Sequence, residues 1–551
     1  MTFIPIIAIY MFQLFINNLV YTKNLKQSLT ILAIFVCIEV FSLVFGPIIE
    51  FISAKIQKMS ILGTETMILK KTSTVRYEML ENSEFYSDLE RFTQEGASKP
   101  FDLYKTSVSI TTSLLLLFNS IVYIFMINKY YSIIIILLTM FSMFFLNKIS
   151  DEQFKIKWDR AEDERKSWYI KYISTHDFGF KELFSYRLFS HFRSIYISFE
   201  KKFIKQDLYL LKKLNILNII YELVVLLVNM FLILSVVKNI LKGTSSIGIL
   251  TSISSLQQNM QASIKNIVQD LYTLRYDKKM VIKLNEFLIN TNLNRRSVSG
   301  LDIQTLEEIS LKNLSYSYGD SYLLKDINLN FYKGTNTAIV GKNGAGKSTM
   351  IKILSQLYET YEGNIYINKN DIKNYNLTSF LKKVSILYQD FLKYEFTVKD
   401  NIGLGHIENI EDIENIEKVK NEYCNNINTI NLDTQLGNWF DKGHQLSGGQ
   451  WQRIAIARTL MNKQSELILL DEPSSALDLE SENQLFSNLM NFVNENNKIG
   501  IFVSHRIASI KKANQIIVLE KGQVVGVGSH DSLLKNCSQY KKLLREENLN
   551  G

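Results

Sequence analysis

Residues 337–354 read TAIVGKNGAGKSTMIKIL: a short β-run, a glycine-rich turn and the start of a helix. Gly341 to Ser348 fits the pattern G-x-x-x-x-G-K-[ST] in full. These residue types suit a polyphosphate. Gly341, Gly344 and Gly346 let the backbone come close with their N–H groups pointing inward, and Lys342, Asn343 and Ala345 of the same loop count with them as ATP-binding residues. A helix opening at Lys347, Ser348 and Thr349 presents the positive end of its dipole to the anion. Lys347 adds a cation at the β- and γ-phosphates, and the Ser348 hydroxyl is a ligand for Mg²⁺. A second segment, LILLDEPSSALD, begins with four apolar residues, 467–470, that read as a buried parallel strand. Asp471 at its end can hold Mg²⁺, mostly through water. Glu472, next along, can polarise an attacking water. Three single residues complete the set. Gln389 in ILYQDF can reach the metal and the water. His505 in IFVSHR follows another apolar strand and can donate to a γ-phosphate. Tyr318 in LSYSYGD can stack on an adenine, with Tyr316 as its rival.

A further stretch, WFDKGHQLSGGQWQRIAIAR at 439–458, sets a serine, two glycines and a helix start in order: Ser447, Gly448, Gly449 and Gln450. It too suits a phosphate oxygen, so the chain carries two cradles. One triphosphate does not require both from one chain.

Stepping outward, the 551 residues are enough for two or more domains. Composition is 46% hydrophobic and 21% charged with a net charge of +8, but it differs between the two halves. Apolar runs at about 2–20, 28–53, 107–127, 130–147, 214–237 and 245–268 approach the ~20 residues that cross a bilayer as a helix. The last is polar for a span, with Gln257, Gln258, Asn259 and Gln261, and is counted by parity. The first starts at Met1 without a basic leader, which argues against a signal peptide. The loops at 54–106 and 148–213 are long and rich in Lys and Arg. They therefore face the cytoplasm, together with the N-terminus and everything after the sixth span. Residues 1–290 thus form a membrane domain, 291–306 a linker, and 307–547 a soluble α/β domain. No basic tract with interleaved aromatics suggests nucleic acid. Cys37, Cys424 and Cys537 have neither metal nor disulfide spacing and read as free thiols.

The P-loop, Gln389, LSGGQ, the DEP segment, the SALD loop ending at Asp478 and the SH pair, in that order, resemble the ATPase domain of ABC transporters. Six spans ahead of one such domain resemble an ABC exporter half-transporter: a membrane α-helical domain fused to an α/β P-loop ATPase. The resemblance covers essentially the whole chain. It implies that Ser447–Gln450 close over ATP held by Lys347 of a second copy, so the unit is a homodimer; a paralogue heterodimer is the rival. LDTQLGNWFDKGHQLSGGQWQRIAIART, ILYQDFLKYEFTVKDNIGL, STHDFGFKELF and KWDRAEDERKSWYIKYI are similar to the same stretches of nisin-type lantibiotic exporters. Trp451 departs from exporters at large and fits this subgroup. STHDFGFKELF falls where the family's coupling helix docks on the ATPase. The resemblance implies a lanthionine precursor peptide as cargo, exported with its leader, and lanthionine synthetase enzymes as partners at the cytoplasmic face. A lipid or drug exporter, or a non-transporting ATPase sensor, shares this architecture and stays open. No papain-like peptidase precedes the first span, so leader removal falls to a separate protease. The family usually has a cytosolic segment and a fuller first helix, so this start reads as clipped. Gly46-Pro47 is a candidate kink or helix-packing point. Glu39 and Glu222, acids within spans, are candidates to meet cationic groups of the cargo; pairing with a residue such as Lys265 is the alternative.

Overall fold

The computed structural model describes residues 3–296, 300–319, 321–424, 427, 430–473, 479–504 and 510–550. It divides into two compact units. One comprises Met1–Ser73 with Glu84–Asn290, the other Thr74–Ser83 with Thr291–Gly551.

The first unit is helical. Each apolar run has most of its described residues in one helix: α1 (Ile4–Asn17), α2 (Leu25–Thr74), α3 (Lys99–Ile127), α4 (Lys129–Asp159), α5 (Phe189–Leu241) and α6 (Gly248–Ile289). Among the described residues, four helices are long and apolar enough to cross a membrane. They are α1 with its π-helical extension, α2, α3 with the 3-10 turn before it, and α5. No more than 22% of the most apolar stretch of any of the four is buried inside the unit. Their leucines, isoleucines and phenylalanines point outward, as they do where the solvent is lipid. Helix α2 continues through Pro47 without a break. One extended residue, Asn128, separates α3 from α4, and its side chain accepts from the Tyr131 amide at 3.2 Å, capping α4. Helices α1 and α6 meet at Gly248, where a Cβ would lie 2.6 Å from the Gln13 carbonyl. The Gly248 amide donates to Asn17 Oδ1 at 2.9 Å, and Ser252 Oγ to Gln13 Oε1 at 2.8 Å. Around these contacts Ile124, Leu232, Val236, Ile253 and Leu256 form a small core.

The second unit is α/β. A six-stranded sheet runs β10-β9-β3-β8-β7-β6: β3 (Thr335–Val340), β6 (Val384–Leu387), β7 (Leu467–Asp471), β8 (Ile499–Val503), β9 (Gln515–Glu520) and β10 (Gln523–Gly528). All are parallel except the edge strand β10. A second, antiparallel sheet runs β2-β1-β4-β5, from β1 (Glu308–Tyr318), β2 (Ser321–Tyr332), β4 (Glu362–Ile367) and β5 (Asn370–Asp371). Successive strand residues point to opposite faces, and the parallel strands are apolar on both. Ala338, Ile468, Leu470 and Phe502 therefore enter one core, while Ile339, Leu467, Leu469 and Ile501 enter another.

Thr74–Ser83, the tip of the first long loop, is held within this second unit. Val75 bridges Asn294, and the Arg295 amide donates to the Thr74 carbonyl at 2.7 Å. Glu78 Oε1 accepts from the Glu359 amide at 2.7 Å and from the amide and hydroxyl of Thr360 at 3.2 and 3.0 Å. Tyr358 donates to Glu81 at 2.9 Å and stacks on Tyr316. Charge-assisted bonds of this kind contribute about 1.5–3 kcal/mol each. Replacing Glu78 by Ala should speed hydrogen exchange at the Glu359 and Thr360 amides by tenfold or so. Unaltered exchange there would show that the loop tip is not anchored through this carboxylate.

Candidate ATP site

Four neighbouring parallel strands deliver the chemistry. In an open parallel sheet, ligands bind outside the carboxyl ends of the strands. Strand β3 ends at Val340 and opens the P-loop; β7 ends at Asp471, before Glu472; β6 ends two residues before Gln389; β8 ends before Ser504. His505 and Asp478 lie outside the described residues.

The P-loop turns into α7 (Lys347–Leu354) through Gly346, the residue capping that helix, at φ +98°. A Cβ there would lie 2.6 Å from Leu324 Cδ2 and 2.9 Å from the Leu323 carbonyl, so only glycine fits without displacement. Gly344, at φ +77°, has open space beside it. Lys347 is buried, and its amine donates to the Gly341 and Lys342 carbonyls at 2.9 and 3.1 Å. Burial pulls this amine below the usual lysine range, while Glu472 and Asp471 push it back up. The charge of a bound triphosphate would add to that of the carboxylates and favour the charged amine against the cost of burial.

Asp471 is also buried. Burial raises its carboxyl above the usual carboxylate range; a hydrogen bond with Ser348 opposes this, and the neighbouring Glu472 charge adds to it. Its Oδ1 is fully enclosed and has no hydrogen-bond partner among the described residues. An enclosed carboxylate oxygen without a donor, beside a serine hydroxyl, fits a hard divalent cation.

Glu472 has φ +51°, an uncommon backbone for a residue with a Cβ that costs about 1–2 kcal/mol. Two of its contacts are made by its backbone. Its amide donates to the Val503 carbonyl at 3.3 Å, and Gln452 Nε2 donates to its carbonyl at 3.4 Å. The strained turn points the Glu472 carboxylate at Gln389, whose Nε2 donates to Oε2 at 3.0 Å. Asn343, Gly344, Gly346, Lys347, Ser348, Thr349, Gln389 and Glu472 line one open cleft of about 550 Å³. Leu323 of β2 forms its remaining wall. Neither Leu323 nor the buried Gln452 carries a sequence signal, because each acts through a tertiary contact.

Tyr318 is exposed at the end of β1, whereas its rival Tyr316 is buried with its ring 4.9 Å from that of Tyr358. Of the two, Tyr318 is the one whose side chain is exposed. Ser447 caps α8 (Gly448–Leu460) in a closed capping box: Gln450 N donates to Ser447 Oγ at 3.3 Å, and Ser447 N to Gln450 Oε1 at 2.9 Å. Gln450 is thereby folded back onto the helix start. Ser447, Gly448, Gly449 and Gln450 do not line the cleft formed by the P-loop, Gln389 and Glu472.

A phosphate-binding loop, a strand-end carboxylate pair and an apolar helical unit define a membrane-bound ATPase. Comparison with known proteins agrees. The ABC transporter family model matches residues 324–475. The chain is 37% identical to the subtilin transport ATP-binding protein of Bacillus subtilis, over 99% of this chain and 89% of the relative. It is 34% identical to the nisin transport ATP-binding protein of Lactococcus lactis subsp. lactis, over 99% of this chain and 91% of that relative. A solved bacterial Atm1-family ABC exporter with ATP bound has the same fold, with TM-score 0.83 at 19% identity over 99% of this chain and 96% of the other. The chain belongs to the ABC transporter family, as an exporter of the group that includes the subtilin and nisin transport ATP-binding proteins. It binds ATP and couples its hydrolysis to transport.

Gly346→Ala should weaken ATP binding at least tenfold, since the loop must open to admit the methyl group. Titration of the purified chain with a fluorescent ATP analogue checks this; wild-type affinity would mean that the loop does not hold the phosphates in this conformation.

Proposed function

We propose that the chain exports a leader-bearing lanthionine precursor peptide across the cytoplasmic membrane as a homodimer, with its N-terminus and ATPase in the cytoplasm. Residues 1–290 form the membrane domain, 291–306 the linker and 307–547 the ATPase domain. Similarity to the subtilin and nisin transport ATP-binding proteins along 99% of the chain supports the cargo. The observation that carries the dimer is the signature segment lying apart from the cleft that its own P-loop lines. A two-fold pair lets each copy place Ser447, Gly448 and Gly449 over the other's nucleotide, in an isologous interface. Asp478 belongs to the same contact.

Within each site the P-loop amides and Lys347 hold the phosphates, and Tyr318 stacks on the adenine. Ser348, Asp471 and Gln389 would hold Mg²⁺, which when bound shields the phosphate oxygens. Glu472 polarises the attacking water, positioned by Gln389, and His505 donates to the γ-phosphate. Hydrolysis then separates the ATPase domains. ATP drives the cycle only to the extent that it binds the closed dimer more tightly than the open one.

Glu472→Gln should bind ATP yet hydrolyse it at least 100-fold more slowly, and accumulate as a closed, ATP-loaded dimer. Cells carrying it should retain modified subtilin or nisin precursor that wild-type cells export. Normal turnover in this variant would remove Glu472 from its role. Stimulation of the wild-type ATPase by lipid but not by precursor would replace the cargo. A mixture of Lys347→Ala and Ser447→Arg copies separates the two dimer arrangements. If LSGGQ serves the opposite subunit, mixed dimers contain one intact site and regain activity that neither variant has alone. If it served its own P-loop, every site would be broken and the mixture would stay inactive.

A further inference from the structure

A cavity of about 610 Å³ in the helical unit is lined by α4, α5 and α6. Asn215, Asn218 and Glu222 from α5 face it, as do Gln258, Gln261 and Lys265 from α6. The spacing is the same on both helices: i, i+3, i+7. That spacing places three side chains on one helix face, so each helix turns a polar stripe toward the cavity.

None of these six side chains makes a hydrogen bond or ion pair with a described residue. In particular, no ion pair joins Glu222 to Lys265, which was the alternative left open by the sequence. Several other polar groups of the unit are bonded internally. Tyr131 donates to Asn229, Tyr123 to Gln13, and Ser120 to the carbonyl one turn back at 2.8 Å. Polar side chains among apolar helices are costly unless they face one another, water or a ligand. Here four carboxamides, an acid and a base converge on one space without using one another.

Carboxamides donate and accept as a peptide unit does. The stripe from Gln258 to Lys265 is seven residues, about 10 Å, and Gln269 extends it by a further turn to about 16 Å. That length matches about five residues of extended chain. A lipid tail would gain nothing from six polar groups along its length and would strip them of water. We propose that this cavity holds an extended segment of the exported polypeptide. The four carboxamides pair with its backbone, Glu222 meets a lysine or arginine side chain, and Lys265 meets a carboxylate. This rests on the peptide-export function above and adds where the cargo is held.

The test uses the full chain in membrane vesicles, with modified nisin and subtilin precursors, leaders attached, as probes. The photo-crosslinker p-benzoylphenylalanine is placed at Asn218 or Gln261, and for comparison at Phe231, an outward-facing residue of α5. The expected result is cross-linking to peptide from Asn218 and Gln261, and to lipid from Phe231. Glu222→Lys should raise the peptide concentration for half-maximal transport about tenfold, and a probe with its lysines changed to glutamate should recover part of that loss. Transport of peptide by the wild type with only lipid captured at 218 and 261, or with Glu222→Lys indifferent to probe charge, overturns the cavity assignment and leaves peptide export standing. Absence of transport of either precursor by the wild type overturns both.

Discussion

The structure is organised around one electrostatic constraint: a triphosphate concentrates negative charge that a protein surface meets only with many donors at fixed positions. In this chain the donors are built before the ligand arrives. Lys347 is buried with its amine turned onto two P-loop carbonyls, and Asp471 is buried with one oxygen unpartnered among the described residues. Each arrangement disfavours the ionised side chain on its own. Their location beside Ser348 and Glu472 makes sense for a site completed by an anion and a cation together. Strand order follows from the same requirement. Parallel β3, β8, β7 and β6 lie side by side, so the loops at their carboxyl ends converge although they are far apart in sequence.

The chemistry-bearing segments are legible in the sequence because each is short and contiguous. Gly341–Ser348 and Leu467–Glu472 state their own backbone geometry: glycines where φ is positive, four apolar residues where a strand is buried on both faces. What is not legible depends on contacts between distant segments. Gln452 reaches the Glu472 carbonyl from the helix that Ser447 caps, and Leu323 closes the cleft from a different sheet. The choice between Tyr318 and Tyr316 turns on which ring Tyr358 covers, some 40 residues away. Likewise, the place of Thr74–Ser83 in the ATPase unit rests on Glu78 finding the amides of Glu359 and Thr360. No periodicity within 74–83 announces that.

The helical unit obeys different rules from the ATPase unit. In the α/β unit, apolar side chains enter two dense cores on either side of the sheet. In the helical unit most apolar side chains face outward, and a small core around Ile124 and Leu256 suffices, because lipid solvates the rest. Polarity is then the scarcer quantity. A glutamine that would pass unnoticed on a soluble helix becomes informative on α6. The same feature makes α6 weak as a span by composition and gives it a continuous polar face.

Gln452 ties these observations to the cycle. It sits on α8, whose first turn carries Ser447 and the two glycines, and it holds the carbonyl of Glu472, the residue with the strained backbone. The segment proposed to cover a nucleotide and the carboxylate proposed to polarise its attacking water are therefore joined within a single chain through one helix. A helix is stiff over that length, so in the proposed cycle a shift of its N-terminus against a phosphate would reach Glu472 and, through Gln389, the mouth of the cleft. Coupling of this kind needs no long-range pathway; it needs two donors, Gln452 and Gln389, on either side of one glutamate.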